Sequence, residues 1–334
     1  MTMNSIGDMA QLLVSRQNTM MLKSNLNTLT NELSSGRVSD VAAHLGASQN
    51  RLSMIDSALT RLNAFDLAAS EMEQALDVVQ ISLSDIQTQS SDVAQQFLLM
   101  DSAANDAQLE LGSDQAQQAL DTVISRLNAT VAGRPVFGGT AVHGPVVVAA
   151  EDLLAQVRAH LATTGATSAS DIVSDVTDWF NDPTGFAATA YGGEVTNRSQ
   201  FVADGQLAEV NVRADGDEIK QLLSGLVLGA LAHDTGIAAT DARALIGASA
   251  DTLLSANGSL STRQGIVGNS QERVEDAQVA NSALRTAWNM QRNDLVSVDQ
   301  FETASKLQDA QTQLELHYAV TARLSSLSLA GYLR

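Results

Sequence analysis

The three prolines of this 334-residue chain, Pro135, Pro145 and Pro183, all fall in one central stretch. Proline removes a backbone donor and breaks helix interiors, so the flanks 1–134 and 184–334 are free to be helical throughout. Both flanks carry apolar residues at three- and four-residue spacing, the period of a helix with one buried face. The first helix is expected from about Ser5 to Leu33. Ser34-Ser35-Gly36 ends it, because glycine takes the left-handed conformation that closes a helix. After a connector, Arg37 to Gly46, a second helical stretch runs from Ser48 to Leu99 on Leu52, Ile55, Leu59, Leu62, Leu76, Val79, Leu83 and Ile86. A third is expected after Gly112, with Ser113 or Asp114 as N-cap, through Leu120, Val123, Ile124 and Leu127 to Gly133.

The proline-bearing middle reads differently. Arg134-Pro-Val-Phe-Gly-Gly-Thr140 is the exit from the helical part, and 141–216 holds two short amphipathic helices, Glu151 to Leu161 and Ser170 to Phe180. Strand patterns follow at Phe201-Val202-Ala203 and from Leu207 to Arg213, bounded by Asp204-Gly205 and Asp215-Gly216. Helix returns at Glu218 to His233 and at Thr240 to Leu254. Asn257 to Gly268, rich in Gly and Ser, reads as a loop or short hairpin. A last helical stretch runs from Ser270 to about Leu329, with a bend near Ser297. The expected fold is mainly α: a long antiparallel helical coiled-coil rod formed by the N- and C-terminal segments, with a small inserted α+β domain. The corresponding domains are 1–46 (terminal helix and connector), 47–140 (rod), 141–216 (insert), 217–292 (rod) and 293–334 (terminal helix).

The terminal helices carry more apolar surface than one partner covers. Leu307, Ala310, Leu314 and Tyr318 form one stripe of the last helix, and Leu316, Val320, Leu324 and Leu327 form another across it. At the other end Ile6, Met9, Leu13 and Met20 make a stripe, and past Met21 it passes to Leu22, Leu26, Leu29 and Leu33. Two such helices can cover one face of each other, which leaves the second face for another molecule. An assembly surface is therefore expected at Ile6, Met9, Leu13, Met20, Leu26, Leu33, Leu314, Tyr318, Val320, Leu324, Leu327 and Tyr332.

Composition narrows the partners. Nineteen Lys and Arg against 38 acids give a net charge of −19, which leaves no basic footprint for nucleic acid and repels an anionic membrane surface. Aromatics are only 4%, which favours thin helical packing over a bulky core. There is no cysteine, so thiolate metal sites and a cysteine nucleophile are excluded. The start of the chain lacks the pattern of a cleavable secretion signal, and no apolar run approaches the ~20 residues needed to span a bilayer. Five scattered histidines show no metal-ligand spacing, and no Gly-x-Ser-x-Gly elbow is present. Asp215-Gly216-Asp217-Glu218 lacks the spacing of a calcium loop and reads as a turn before a helix. Asn197-Arg-Ser199 and Asn257-Gly-Ser259 fit the glycosylation sequon. No cofactor and no catalytic activity are expected.

Several segments carry a resemblance. Leu33-Ser-Ser-Gly-Arg37, Phe137-Gly-Gly-Thr140, Gln313-Leu-Glu-Leu-His-Tyr-Ala-Val320 and the ending Ala322-Arg-Leu-Ser-Ser-Leu-Ser-Leu-Ala-Gly-Tyr-Leu333 resemble the flagellin superfamily. Within it they are similar to the hook-associated protein 3 branch, which forms the hook–filament junction. The resemblance covers roughly 1–140 and 260–334. The chain departs from the family where an Asp-Asp run usually follows Ser-Ser-Gly, since Val41-Ala-Ala-His-Leu45 stands there. The resemblance implies a secreted, extracellular structural subunit that leaves the cell through the flagellar type III export apparatus, served by an export chaperone, and polymerises through its terminal helices. Its implied partners are copies of itself, hook-associated protein 1 and flagellin. The rival readings are a filament flagellin, a membrane-active type III translocator and an enzyme carried by the 141–216 insert.

Overall fold

The structure, a computed structural model, describes residues 3–100, 104–234 and 236–332. It is mainly α, as expected. In order the elements are α1 (Met3–Ser35), α2 (Val41–Leu45), α3 (Gln49–Leu99), α4 (Asp106–Leu127), β1 (Thr130–Val131), β2 (Arg134–Pro135), α5 (Ala150–Thr164), α6 (Ala169–Asn181), α7 (Phe186–Thr189), β3 (Arg198–Ala203), β4 (Gln206–Val210), α8 (Asp217–Leu231), α9 (Ala239–Val296) and α10 (Gln300–Tyr332). The chain divides into two compact units. Unit 1 comprises 1–61 and 283–334, and unit 2 comprises 62–282.

Unit 2 is organised around α8. Its run from Leu222 to Leu231 is buried on every side, the environment that a helix apolar all round requires. Two glycines let its neighbours approach. A side chain at Gly225 would meet Leu253 of α9 at 2.9 Å, and one at Gly229 would meet Phe97 of α3 at 2.6 Å and Ala116 of α4 at 2.9 Å. The same approach puts two serine hydroxyls onto α8 carbonyls at 2.6 Å, Ser249 to Gly225 and Ser113 to Ala230. Ser113 is thus an interior residue and not the N-cap of the third helix. That helix is capped eight residues before Ser113, because Asn105 and Gln108 form a reciprocal capping box, each side chain bonding the other's backbone N–H at 3.0 and 2.9 Å.

The stretch Asn257 to Gly268, expected as a loop or hairpin, lies inside the 58-residue helix α9. Its glycines 258, 265 and 268 face open space, while Leu260 and Val267 are fully buried. Buried apolar positions and a polar ladder outweigh the low helix propensity of glycine. The Asn257 amide donates to Ser91 Oγ at 3.0 Å and its carbonyl accepts from Ser90 at 2.5 Å, while Gln87 donates to Ser261 at 2.7 Å. Further along the antiparallel pair, Gln271 donates to Asp77 and Gln278 to Glu73, both at 2.7 Å.

The 141–216 segment does not keep its own core. Val146, Val147, Leu153, Val157, Ile172, Val176 and Val212 join the cluster that contains α3, α4, α8 and α9. Its two longer helices match the expected positions, the short α7 was not expected, and four of its five aromatics gather in one place. Trp179, Phe180, Phe186 and Tyr191 form a chain of ring contacts with centroids 5.1 to 6.4 Å apart. The β3–β4 hairpin turns at Asp204-Gly205, with Phe201 opposite Leu207 and a bulge between Phe201 and Ala203. The β1–β2 hairpin turns through Ala132 and Gly133, both left-handed, as a two-residue hairpin turn demands.

Phe137-Gly-Gly-Thr140 is explained by what surrounds it. Phe137 is fully buried. Its carbonyl accepts from Ala214, Gly138 accepts from Glu194, and Thr140 donates to Thr196, at 2.9 to 3.0 Å. Gly139 sits at φ +63°, where a side chain would meet the Glu194 and Thr196 carbonyl oxygens at 2.4 Å. The motif is a three-way backbone junction that only glycine can occupy.

Candidate assembly surface

Unit 1 pairs α1 with α10 in antiparallel fashion. At one end the pairing is fixed by the backbone. Gly36, left-handed at φ +69°, closes α1 by donating to Glu32 at 2.8 Å. The next residues run alongside the break between α9 and α10: Val38 N–H bonds Val296 carbonyl at 3.0 Å and Val298 N–H bonds Gly36 carbonyl at 3.1 Å. Arg37 donates to Asn293 at 3.2 Å, and Arg292 pairs with Asp56 at 2.8 Å. The expected bend near Ser297 is thus a full break, with Asp299 capping α10 by accepting from Phe301 and Glu302 N–H groups. Ser-Ser-Gly-Arg is the residue pattern of this corner.

From there the two helices share a seam with alternating four- and three-residue spacing. On α1 it runs Ser15, Thr19, Leu22, Leu26, Leu29, Leu33, and on α10 Thr303, Leu307, Ala310, Leu314, His317, Thr321. All twelve are at least half covered, down to 7% exposed at Leu29 and 3% at Ala310. This is the spacing of a two-helix coiled coil. Leu26, Leu33 and Leu314, expected on the assembly surface, therefore lie in the intramolecular seam. Tyr318, also expected on the assembly surface, lies beside the seam at 46% exposure, with Lys23 Nζ 5.9 Å from its ring centroid. The seam passes instead through His317 and Thr321, which apolar counting overlooks. Their signal was the unbroken four-three spacing.

The polarity of the pair inverts along its length. Between 22 and 33 on α1, and 303 and 314 on α10, leucines face inward. Towards the other end the inward positions are Ser15, Thr19, His317 and Thr321. His317 Nε2 lies 3.1 Å from the Ser15 carbonyl oxygen, and the Ser15 hydroxyl is 3.3 Å from Thr321 Oγ1. Over that same stretch the apolar side chains point out: Met9 (73% exposed), Leu13, Val14, Met20 and Met21 on α1, and Leu316 and Val320 on α10. Met21, Leu22, Leu316 and Val320, with Asn18, Gln313 and His317, line a shallow open groove of about 460 Å³. Four of the expected residues, Met9, Leu13, Met20 and Val320, are placed on this outward surface. The side chains of Ile6, Leu324, Leu327 and Tyr332 lie outside the described residues.

The other sequence motifs resolve into structure. In Asp215-Gly216-Asp217-Glu218 each carboxylate meets a cation: Asp215 with Arg213 at 2.8 Å, Asp217 with Lys220 at 2.8 Å, and Glu218 with Arg263 at 2.7 Å. The Lys220 contact holds the Asp217 carboxyl below its ordinary value. Both sequon asparagines are engaged, Asn257 with Ser90 and Ser91 and Asn197 with Glu209 and Arg213. Among the described residues no group of three His, Cys, Asp or Glu side chains is arranged to hold a metal ion. Among them, too, no helix is long and apolar enough to cross a membrane.

No protein-family model matches this sequence, and no curated protein matches it. Among solved structures the chain is similar to a crystal structure of Bacillus cereus FlgL, at TM-score 0.51 and 15% identity over 73% of this chain and 100% of that one. It is also similar to a Vibrio parahaemolyticus protein assigned as a flagellar hook-associated protein, at TM-score 0.53 and 11% identity over 76% and 99%. At such identities what is shared is the fold, and this chain has a fold like that of FlgL.

Proposed function

We propose that this chain is a structural subunit of the bacterial flagellum that polymerises through its paired terminal helices and forms the junction between hook and filament. The observation that carries this reading is the polarity inversion of α1 and α10. Polar side chains are enclosed between the helices while methionines, leucines and valines face water. A pair built in that sense is poorly stabilised alone, and burying each outward Leu, Met or Val contributes about 1.5–3 kcal/mol. The fold shared with FlgL supplies the setting. In that setting the partners are further copies of this chain, hook-associated protein 1 on the hook side, flagellin on the filament side and, before assembly, the export apparatus and its chaperone. The outward residues Met9, Leu13, Met20 and Val320 form the interface, with Ile6, Leu324, Leu327 and Tyr332 continuing it.

Leu13→Asp places a charge on the outward face without touching the seam. It weakens incorporation by at least about 2 kcal/mol, while circular dichroism shows unit 2 still folded; filaments that assemble normally from this variant refute the reading. Immunogold labelling of detached flagella with antibody to residues 141–216 locates the subunit. A single band where hook meets filament is expected, and label along the whole filament makes the chain a flagellin.

A further inference from the structure

The charge of this chain is not spread over it. Unit 1 holds 10 Lys and Arg against 9 Asp and Glu, a net +1, whereas unit 2 holds 9 against 29, a net −20. The imbalance is sharpest from 62 to 125, which has 11 acids and no Lys or Arg. Many of these acids, among them Asp92, Glu110, Asp114 and Asp121, are exposed on α3 and α4. The apolar outward face lies in the neutral unit.

From this segregation, and resting on the assembly reading above, we infer that unit 1 is the part of the surface that accepts a second copy of this chain, and that unit 2 holds copies apart by like-charge repulsion. Self-association is then opposed by the acidic units and strengthened by salt. This is the reverse of what a polymer held by ion pairs shows. The physical reason is range. Apolar contact on unit 1 acts only at touching distance, while repulsion between units of net −20 reaches over the screening length, about 30 Å at 0.01 M salt and about 8 Å at 0.15 M. Between those two conditions the association constant of the full chain rises by at least about tenfold.

The test is sedimentation of the full chain across that salt range, beside a variant carrying Asp92→Lys, Glu110→Lys, Asp114→Lys and Asp121→Lys. These four positions are exposed and helical. The reversals take unit 2 from −20 to −12, so the product of like charges falls to about a third. Association at low salt then rises, and the salt slope falls by about two thirds. Association that weakens with salt, or a variant with the unchanged slope, overturns the inference and leaves the assembly reading standing. A chain that stays monomeric in every salt overturns the assembly reading itself. Leu13→Asp separates the two, since it removes association at all salt concentrations without altering the charge of unit 2.

Discussion

Gly139 and Gly258 show how little a residue type says without its surroundings. Gly139 holds φ +63° against two carbonyl oxygens, while Gly258 is helical with open space around it. Gly139→Ala therefore destabilises unit 2 by about 2–4 kcal/mol, and Gly258→Ala stabilises it by about 0.5–1 kcal/mol; chemical denaturation that ranks them the other way refutes both assignments. Tyr191 gives a second prediction. Burial, with Asp215 nearby, pushes its phenol above the ordinary range. A raised folded value contributes stability that is present below the unfolded value of about 10 and is lost as pH rises through the folded one. Tyr191→Phe should accordingly flatten the alkaline loss of stability, and an alkaline limb identical to that of the parent chain assigns the loss to another group.

Among the elements, α9 is the one most misread by local pattern. Asn, Gly and Ser between 257 and 268 carry every turn signal, but helix α3 offers Ser90, Ser91 and Gln87 at matching heights, so their side chains are satisfied without leaving the helix. Asn257→Ala removes the acceptor of Ser90 and the donor to Ser91 while Ser90 keeps its bond to the Gln87 carbonyl, and a loss of about 0.5–1.5 kcal/mol is expected in thermal unfolding; a neutral result would show that the ladder sets register only. Helix α4 teaches the same lesson from its start. Its cap Asn105 and partner Gln108 formed a legible signature, and Gly112-Ser113 masked it by looking like a stop. The start and stop of α1, α5, α6 and α8 fall within a few residues of expectation, and the structure closes or opens them at Gly36, Gly165, Ser168 and Gly216.

At the scale of the whole molecule, stability is distributed unevenly. Unit 2 holds the large contiguous core, whereas among the described residues towards the far end of α1 and α10 the inward contacts around Ser15 are polar. Limited proteolysis of the unassembled chain should therefore cut within 9–21 and 316–323 before any site between 62 and 282; first cuts in unit 2 would contradict the unequal partition. The sequence by itself determined that the chain is mainly helical, that its middle differs and that its ends carry surplus apolar surface, because proline placement and three-four periodicity are local properties. Tertiary structure alone decided which stripe faces inward. Ser15, Thr19, His317 and Thr321 occupy the seam because the leucine spacing further along fixes the phase of both helices, and a helix cannot rotate one half against the other. The same phase sends Met9, Leu13 and Val320 outward, and the folding of 62–282 into one unit puts 29 of the 38 acids in the other unit.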